Sequence, residues 1–294
     1  MTGSTLARRS LGRELRRLRE AKGMSQTAAG RVVELSPQSI GRIEDGQSTR
    51  VSSLQINALC DAYGATGAER RTLLALAREM REASKSGGRW WRAYADQIPG
   101  DFDHFVSLEE VARRITTSQM SLLPGLLQIP EYRREGEWTM HPQATPEEVE
   151  RRIDIATRRQ HRLQDDDFEY SVFLSEAVLN HQIGGPAVMA RQLRHLTELA
   201  QLPNISIRVI PNSVGSHVGL HVGSFVMFEF PALAATRAPE PPVVYVEGYT
   251  GDLYLERDSE ITPYRNALAE LDRVALDVGE STRLIADKAR EYEG

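Results

Sequence analysis

Two short segments with helix start and stop signals follow one another between residues 25 and 46, and no other feature constrains the fold as strongly. Ser25 can cap the first segment, whose small residues would let another helix approach closely. The second has a serine cap at Ser36, proline at the first helical position and a glycine stop at Gly46. A turn of about three residues, 33–35, separates them. This spacing predicts a helix-turn-helix, whose second helix fits the major groove of DNA.

Three more helices are predicted around this pair. Leucines recur at helical spacing between residues 11 and 22, with arginines on the opposite face. Two further helical patterns span residues 52–63 and 68–83, and their leucines, Leu54 among them, are candidates for the core. We therefore expect the N-terminal domain to be a five-helix module.

The charge of the chain is divided unevenly. Residues 1–85 carry 15 Arg and Lys against 9 Asp and Glu, whereas residues 86–294 carry 21 against 32. Binding to nucleic acid depends largely on neutralising phosphates, so the basic N-terminal part is the candidate contact with double-stranded DNA. The net charge of −5 conceals this division.

The small and flexible residues 84–88 indicate where the first domain ends. We assign residues 1–83 to the helix-turn-helix domain, 84–104 to a linker or junction and 105–294 to a regulatory domain. Residues 234–242 are expected to form a mobile surface loop.

The second domain is expected to be α+β, which makes the chain mostly α with a second α+β domain. Runs of β-branched and aromatic residues between turn signals predict strands. The predicted strands are 170–174, 205–210, 224–230, 243–247 and 252–256, and the predicted helices are 108–121, 146–163, 176–182, 187–200 and 264–277.

The polar residues of the helix-turn-helix are the candidate DNA contacts. Gln26, at the start of the first helix, can offer its amide to a phosphate. On the second helix, glutamine can pair with adenine and arginine with guanine. Arg50, just beyond, could hold a phosphate or reach a minor groove. The candidate DNA-binding residues are Gln26, Ser36, Gln38, Ser39, Arg42 and Arg50.

The second domain offers weak candidates for chemistry. His217 and His221 are four residues apart, as in a zinc site, but the surrounding glycines favour a loop. Ser175 precedes Glu176 at a strand-to-helix junction, where a serine commonly serves as an N-cap. The sequence contains no phosphate loop, dinucleotide fingerprint or Gly-x-Ser-x-Gly elbow. We therefore expect no enzyme activity, cofactor or metal.

A set of five aromatic residues near the predicted domain junction has two interpretations. It comprises Trp90, Trp91, Tyr94, Phe102 and Phe105. Such residues could line a ligand pocket or pack two domains together, and packing is the preferred interpretation.

At Ser25-Gln26 and from Ser36 to Gly46 the sequence resembles the Cro/repressor (XRE) family, although Glu34 stands where many members have glycine. The resemblance implies that Gln26 anchors the DNA backbone and that Gln38, Ser39 and Arg42 read bases or phosphates. Glycine tolerates backbone conformations that glutamate does not, so a strained turn at Glu34 is possible.

The rest of the chain is similar to the C-terminal domain of WhiJ-like regulators of actinobacteria, a domain of unknown function. The motifs that carry this resemblance are Gly88-Arg89-Trp90-Trp91, Leu108-Glu109, Leu123 to Gln128, Arg158-Arg159-Gln160, Ser175-Glu176-Ala177 and Pro203-Asn204-Ile205. The resemblance implies an antitoxin-like arrangement with a small protein encoded next door.

The leading hypothesis is a sequence-specific transcription regulator that binds DNA as a homodimer and whose C-terminal domain senses a ligand or a partner protein. One alternative is an antitoxin-like interaction protein that docks the neighbouring gene product and regulates its own expression. A less favoured alternative is an enzyme tethered to DNA. With one cysteine, no signal-peptide pattern and no apolar run that could cross a membrane, the chain is expected to be cytoplasmic.

Overall fold

The computed structural model describes residues 3–47, 51–85, 100–237 and 239–294. These residues form two compact units. Unit 1 comprises the described residues up to 85 together with the segment 230–240, and unit 2 comprises residues 100–229 and 241–294. Within the described ranges no helix is both long and apolar enough to span a membrane.

Unit 1 contains the five predicted helices. Leucines of α1 and α5 and isoleucines of α3 and α4 are buried in its core, as the helical spacing of apolar residues predicts. Leu54 is an exception, because its side chain is 82% exposed and not in the core. The helices are α1 (Gly3–Ala21), α2 (Gln26–Val33), α3 (Pro37–Glu44), α4 (Ser53–Tyr63) and α5 (Gly67–Lys85).

Unit 2 has the predicted α+β architecture. Its helices are α6 (Gly100–Val111), α7 (Pro130–Met140), α8 (Pro146–Gln160), α9 (Glu176–Asn180), α10 (Pro186–Leu199), α11 (Gly219–Val222), α12 (Asp258–Val274) and α13 (Val278–Glu291). Its strands are β1 (Arg114–Gln119), β2 (Glu169–Ser175), β3 (Ile205–Ile210), β4 (Phe225–Glu229), β5 (Val243–Val246) and β6 (Leu253–Leu255).

The six strands form one mixed sheet in the order β3-β2-β1-β4-β5-β6. β1, β2 and β3 are parallel, whereas β4 to β6 are antiparallel to their neighbours. The carboxyl ends of β1 to β3 therefore meet the start of β4, the end of β5 and the start of β6. We call this side of the sheet the carboxyl edge.

Helices cover both faces of the sheet. On one face Ile261 of α12 packs on Phe225 and Met227 of β4. On the other, the ring of Phe105 of α6 makes edge contacts with Phe228 and Tyr245 at centroid distances of 5.3 and 4.8 Å. These two layers bury the central strands.

The predicted helix 108–121 is wrong beyond Val111. The chain leaves α6 there and residues 114–119 form β1, which lies between β2 and β4 in the sheet. Thr117 and Ser118 of β1 are fully buried despite being polar, and the Thr117 hydroxyl donates to the carbonyl of Phe225 at 2.8 Å. Pairing with two neighbouring strands overrode the helical apolar pattern. The helices α7, α11 and α13 were not predicted from the sequence.

Residues 230–240 connect β4 to β5, yet they belong to unit 1. Ala234, Arg237 and Pro239 are exposed, as a surface loop requires, but Phe230, Leu233 and Glu240 are buried. The sequence analysis had assigned them with the rest of the second domain.

Candidate nucleic-acid interface

Both helices of the predicted motif begin as their sequences indicate. The hydroxyl oxygens of Ser25 and Ser36 each accept a hydrogen bond from the backbone N–H three residues on, at 3.1 Å. Pro37 occupies the start of α3, where its missing N–H costs nothing. The hydroxyl of Ser39 also hydrogen bonds that of Ser36 at 2.9 Å. Ser36 and Ser39 are thus part of the cap as well as predicted DNA contacts.

The exposed face of α3 carries the residues predicted to read bases. Gln38 and Arg42 are exposed and one helical turn apart, whereas Ile40 and Ile43 are buried. Within the described part of the chain, Arg42 makes no ion pair. Its guanidinium is therefore available for a ligand.

Gln26 lies at the start of α2 and is tied to the end of α3. Its side-chain amide donates to Glu44 at 3.0 Å and lies beside Gly41. One of its two amide N–H groups is therefore engaged, and the other is available for a phosphate. This contact places Gln26 next to α3.

Glu44 is the centre of a buried polar cluster that the sequence analysis did not identify. Arg19 donates to both oxygens of its carboxylate, at 2.6 and 2.9 Å, and Arg16 donates at 3.5 Å and also contacts Asp45. Burial alone would raise the pKa of Glu44, but the hydrogen bonds from Arg19 and Gln26 lower this pKa below its usual value. The cluster joins α1, α2 and α3.

One local signal could have identified Glu44. It occupies the last turn of α3, where the negative end of the helix dipole disfavours a carboxylate. A glutamate at such a position needs a cation from elsewhere in the fold. Arg16 and Arg19 supply it.

The turn between α2 and α3 contains the backbone strain suggested by Glu34. This residue adopts a left-handed conformation, with φ 55° and ψ 41°. Gly30, within α2, lies against this turn, because a Cβ there would come within 2.4 Å of the Leu35 carbonyl oxygen. The left-handed conformation of Glu34 is one that glycine adopts without strain.

Arg50 lies outside the described residues, as do Trp90, Trp91 and Tyr94. Nothing is therefore added to the predictions made for them. Phe105 is described and packs on the sheet within unit 2.

The residues of unit 2 that were candidates for chemistry are Ser175, His217 and His221. The Ser175 hydroxyl caps α9, accepting from the N–H of Ala177 at 3.3 Å, as predicted. His221 lies in a short helix, α11, where the sequence analysis expected a loop. His217 lies beside Gly219, and burial lowers its pKa. Across the described ranges, no three His, Cys, Asp or Glu side chains are grouped so that they could hold a metal ion.

Comparisons with known proteins agree with this two-part description. A helix-turn-helix domain matches residues 10–73, and a domain of unknown function, DUF5753, matches residues 102–287. No curated protein and no solved structure matches the chain. The second match spans more than half of the sequence, and the chain therefore belongs to the DUF5753 family, with a helix-turn-helix domain preceding the family domain.

Proposed function

We propose that the protein is a sequence-specific transcription regulator whose helix-turn-helix reads DNA in the manner of the Cro/repressor (XRE) family. The observation that carries the proposal is the α3 face on which Gln38 and Arg42 are exposed while Ile40 and Ile43 are buried. A recognition helix needs this arrangement, because one face meets base edges and the other holds the helix on its domain.

The proposal includes a homodimer. A single helix-turn-helix reads only a few base pairs, and modules of this type commonly bind two half-sites about one helical turn apart. As a regulator the protein would act in the cytoplasm. Its operator is expected to contain an inverted repeat.

The test begins with selection of binding sites from randomised double-stranded DNA by the full chain. Arg42→Ala is expected to weaken binding to the selected site by about 5- to 150-fold, the loss of about 1 to 3 kcal/mol of base discrimination. Arg71→Ala is the matched control, because this exposed arginine of α5 lies outside the motif but carries the same charge. Equal effects of the two variants would show that Arg42 contributes only nonspecific positive charge. Failure to select any site would contradict the proposal.

The proposal assigns unit 2 a regulatory rather than an enzymatic role, like that expected of a WhiJ-like domain. Ser175, the serine at a strand-to-helix junction, uses its hydroxyl as an N-cap, which suits a structural role better than a nucleophile. The input would be a small-molecule ligand or a partner protein. Mass spectrometry of the purified protein under native conditions tests for a retained metabolite.

One observation favours a second candidate, a docking protein of the antitoxin-like type. Leu122, Leu220, Tyr249 and Leu253 are 53–95% exposed. The first three come from connections at the carboxyl edge of the sheet, and Leu253 begins β6 at the same edge. Exposed apolar residues grouped on one side commonly mark an interaction site. Because residues 86–294 carry an excess of acidic side chains, the proposed occupant is a small protein with a basic and apolar face.

Co-purification with the product of the neighbouring gene tests this candidate. Leu220→Ser combined with Leu253→Ser should abolish the complex. Met140→Ser is the control, because Met140 is 61% exposed at the C-terminal end of α7. A complex that survives the double substitution would rule out the carboxyl edge as the docking site.

A further inference from the structure

The segment of residues 230–240, which we call the β4–β5 segment, packs against the helices of unit 1. The backbone of Ala235 hydrogen bonds to the carboxylate of Glu79 on α5. Leu233 is 3% exposed, and the two ends of the segment, Phe230 and Glu240, are 5% and 4% exposed. The segment is therefore part of the packed structure of the helix-turn-helix unit.

Both ends of the β4–β5 segment hold arginines of α1. The carboxylate of Glu240 accepts two hydrogen bonds from Arg13, from Nη1 at 2.8 Å and from Nη2 at 2.9 Å. Such two-point pairs fix orientation as well as distance. The guanidinium of Arg9 lies over the ring of Phe230, 4.9 Å from its centroid. Arg9 and Arg13 are one helical turn apart, so the segment contacts a single stretch of α1.

The same stretch of α1 contacts the end of the recognition helix. Gly46, with φ +66°, follows α3, and a Cβ there would come within 2.9 Å of the Arg9 Cα and Cγ atoms. A Cβ on Gly12 would come within 2.3 Å of the Ile43 carbonyl oxygen. Arg9 therefore contacts both Phe230 and the turn that ends α3. No side chain could be inserted between α1 and α3 at this point without moving one of them.

The next turns of α1 continue the connection. Arg16 and Arg19 hold Glu44, the last residue of α3, and Glu44 in turn binds Gln26 at the start of α2. The β4–β5 segment, α1 and the helix-turn-helix thus form one continuous series of packed and hydrogen-bonded contacts. Chains of packed side chains and hydrogen bonds of this kind can carry energetic coupling between distant sites.

We propose that Phe230 and Glu240 are positioning residues for DNA recognition: through Arg9 and Arg13 they hold α1 against the end of α3 and so fix the recognition helix. The inference rests on the DNA-binding function proposed above. The ends of the segment are joined by the chain to β4 and β5.

The test uses the full chain with Glu240→Gln, which preserves shape but removes the charge, and with Phe230→Leu, which removes the ring under Arg9. Ala234→Ser is the matched control, because Ala234 is an exposed residue of the same segment. The first measurement is hydrogen exchange at the amides of Asp45, Gly46 and Gln47, which donate to the last turn of α3. The second is affinity for the selected DNA site.

Both variants are expected to speed exchange at these three amides and to weaken DNA binding, each by at least about fivefold, while the control changes neither. Unchanged exchange in both variants would overturn the inference, as would faster exchange with unchanged affinity. If the unmodified chain selects no DNA site, the proposed function fails, and the exchange measurement still decides whether the segment holds α3.

A double variant tests whether Glu240 acts through Arg13. Arg13→Gln combined with Glu240→Gln should weaken binding no more than either substitution alone, because both remove the same contact. Additive losses would show that Glu240 does not act through Arg13 and would overturn this part of the inference.

Discussion

The side-chain amide of Gln26 donates to the carboxylate of Glu44 across 3.0 Å and thereby joins the first turn of α2 to the last turn of α3. The two residues are 18 positions apart, and each belongs to a different helix of the motif. Their contact sets the relative placement of the helix expected to cross the DNA backbone and the helix expected to read bases. A buried carboxylate thus takes part in holding the two helices together.

Replacing Glu44 with glutamine should lower the stability of unit 1 by about 3 kcal/mol, because the buried charge of Arg19 would lose its buried counterion and keep only the exposed Glu20 beside it. Chemical denaturation monitored by circular dichroism measures this loss. Glu20→Gln provides the control, since Glu20 is exposed and only flanks the same arginine at 3.4 Å. A loss no larger than that of the control would contradict the assigned role of Glu44.

The Glu44 carboxyl also predicts a pH dependence. Its folded pKa is lowered relative to the ordinary glutamate value of about 4.3, so the unfolded chain binds the proton more readily. The stabilisation is present above the ordinary value and is lost as pH falls through the lowered one. Denaturation midpoints between pH 7 and pH 3 should therefore fall more steeply for the unmodified protein than for Glu44→Gln. Parallel curves would contradict this expectation.

Glycine at position 34 should stabilise the turn. Glu34 has a left-handed backbone that costs an L-residue about 1 kcal/mol, and glycine avoids this cost while gaining some freedom in the unfolded chain. We expect Glu34→Gly to raise stability by about 0.5 kcal/mol in thermal unfolding. Glu34→Ala removes the same carboxylate but keeps the Cβ, so it should give no such gain. An equal gain in stability from Glu34→Ala would show that removal of the negative charge, and not relief of backbone strain, causes the effect.

Loss of the Ser36 cap should destabilise the recognition helix. Ser36→Ala removes the oxygen that accepts from the Ser39 N–H and should cost about 1 kcal/mol. Ser36→Asp retains a capping oxygen and should restore the stability, as measured by denaturation. DNA affinity should nevertheless be lower in Ser36→Asp than in the unmodified protein, because the added negative charge faces the phosphates. Equal stability of the alanine and aspartate variants would contradict the capping role.

A buried ion pair in unit 2 offers a test of its core. Arg159 of α8 donates to both carboxylate oxygens of Glu109 of α6, at 2.7 and 2.8 Å, and both side chains are 6% exposed. Glu109→Gln should cost about 3 to 5 kcal/mol in the unfolding transition of unit 2, because it isolates a buried charge. Glu109→Leu combined with Arg159→Met should recover much of that loss. A double variant as unstable as Glu109→Gln would indicate that the ion pair stabilises the fold more than apolar packing at the same positions does.

The local features of the chain were predictable from the sequence. The caps at Ser25, Ser36 and Ser175 occur where serine precedes a helical pattern, and β3 has the predicted bounds 205–210. Each of these depends on residues a few positions apart. Gln38 and Arg42 were likewise identifiable as an exposed pair from helical spacing alone.

The features that depend on distant parts of the chain were not predictable. Residues 114–119 combine the apolar Ile115 with polar side chains and suit either a helix or a strand. They form β1 because β2 and β4 offer hydrogen-bond partners on both sides. Leu54 fitted the apolar pattern of α4 but lies on a face that no element in the described part of unit 1 covers enough to bury it.

The amino-acid sequence by itself determined the helix-turn-helix, its capped ends and the α+β class of the second part, because caps, turns and periodic patterns act over a few residues. The Gln26–Glu44 contact and the placement of Phe230 and Glu240 against α1 required the three-dimensional fold. Glu240 meets Arg13 across 227 positions of sequence. Packing and charge in the folded structure bring such distant residues together. Local sequence patterns carry no information about these contacts.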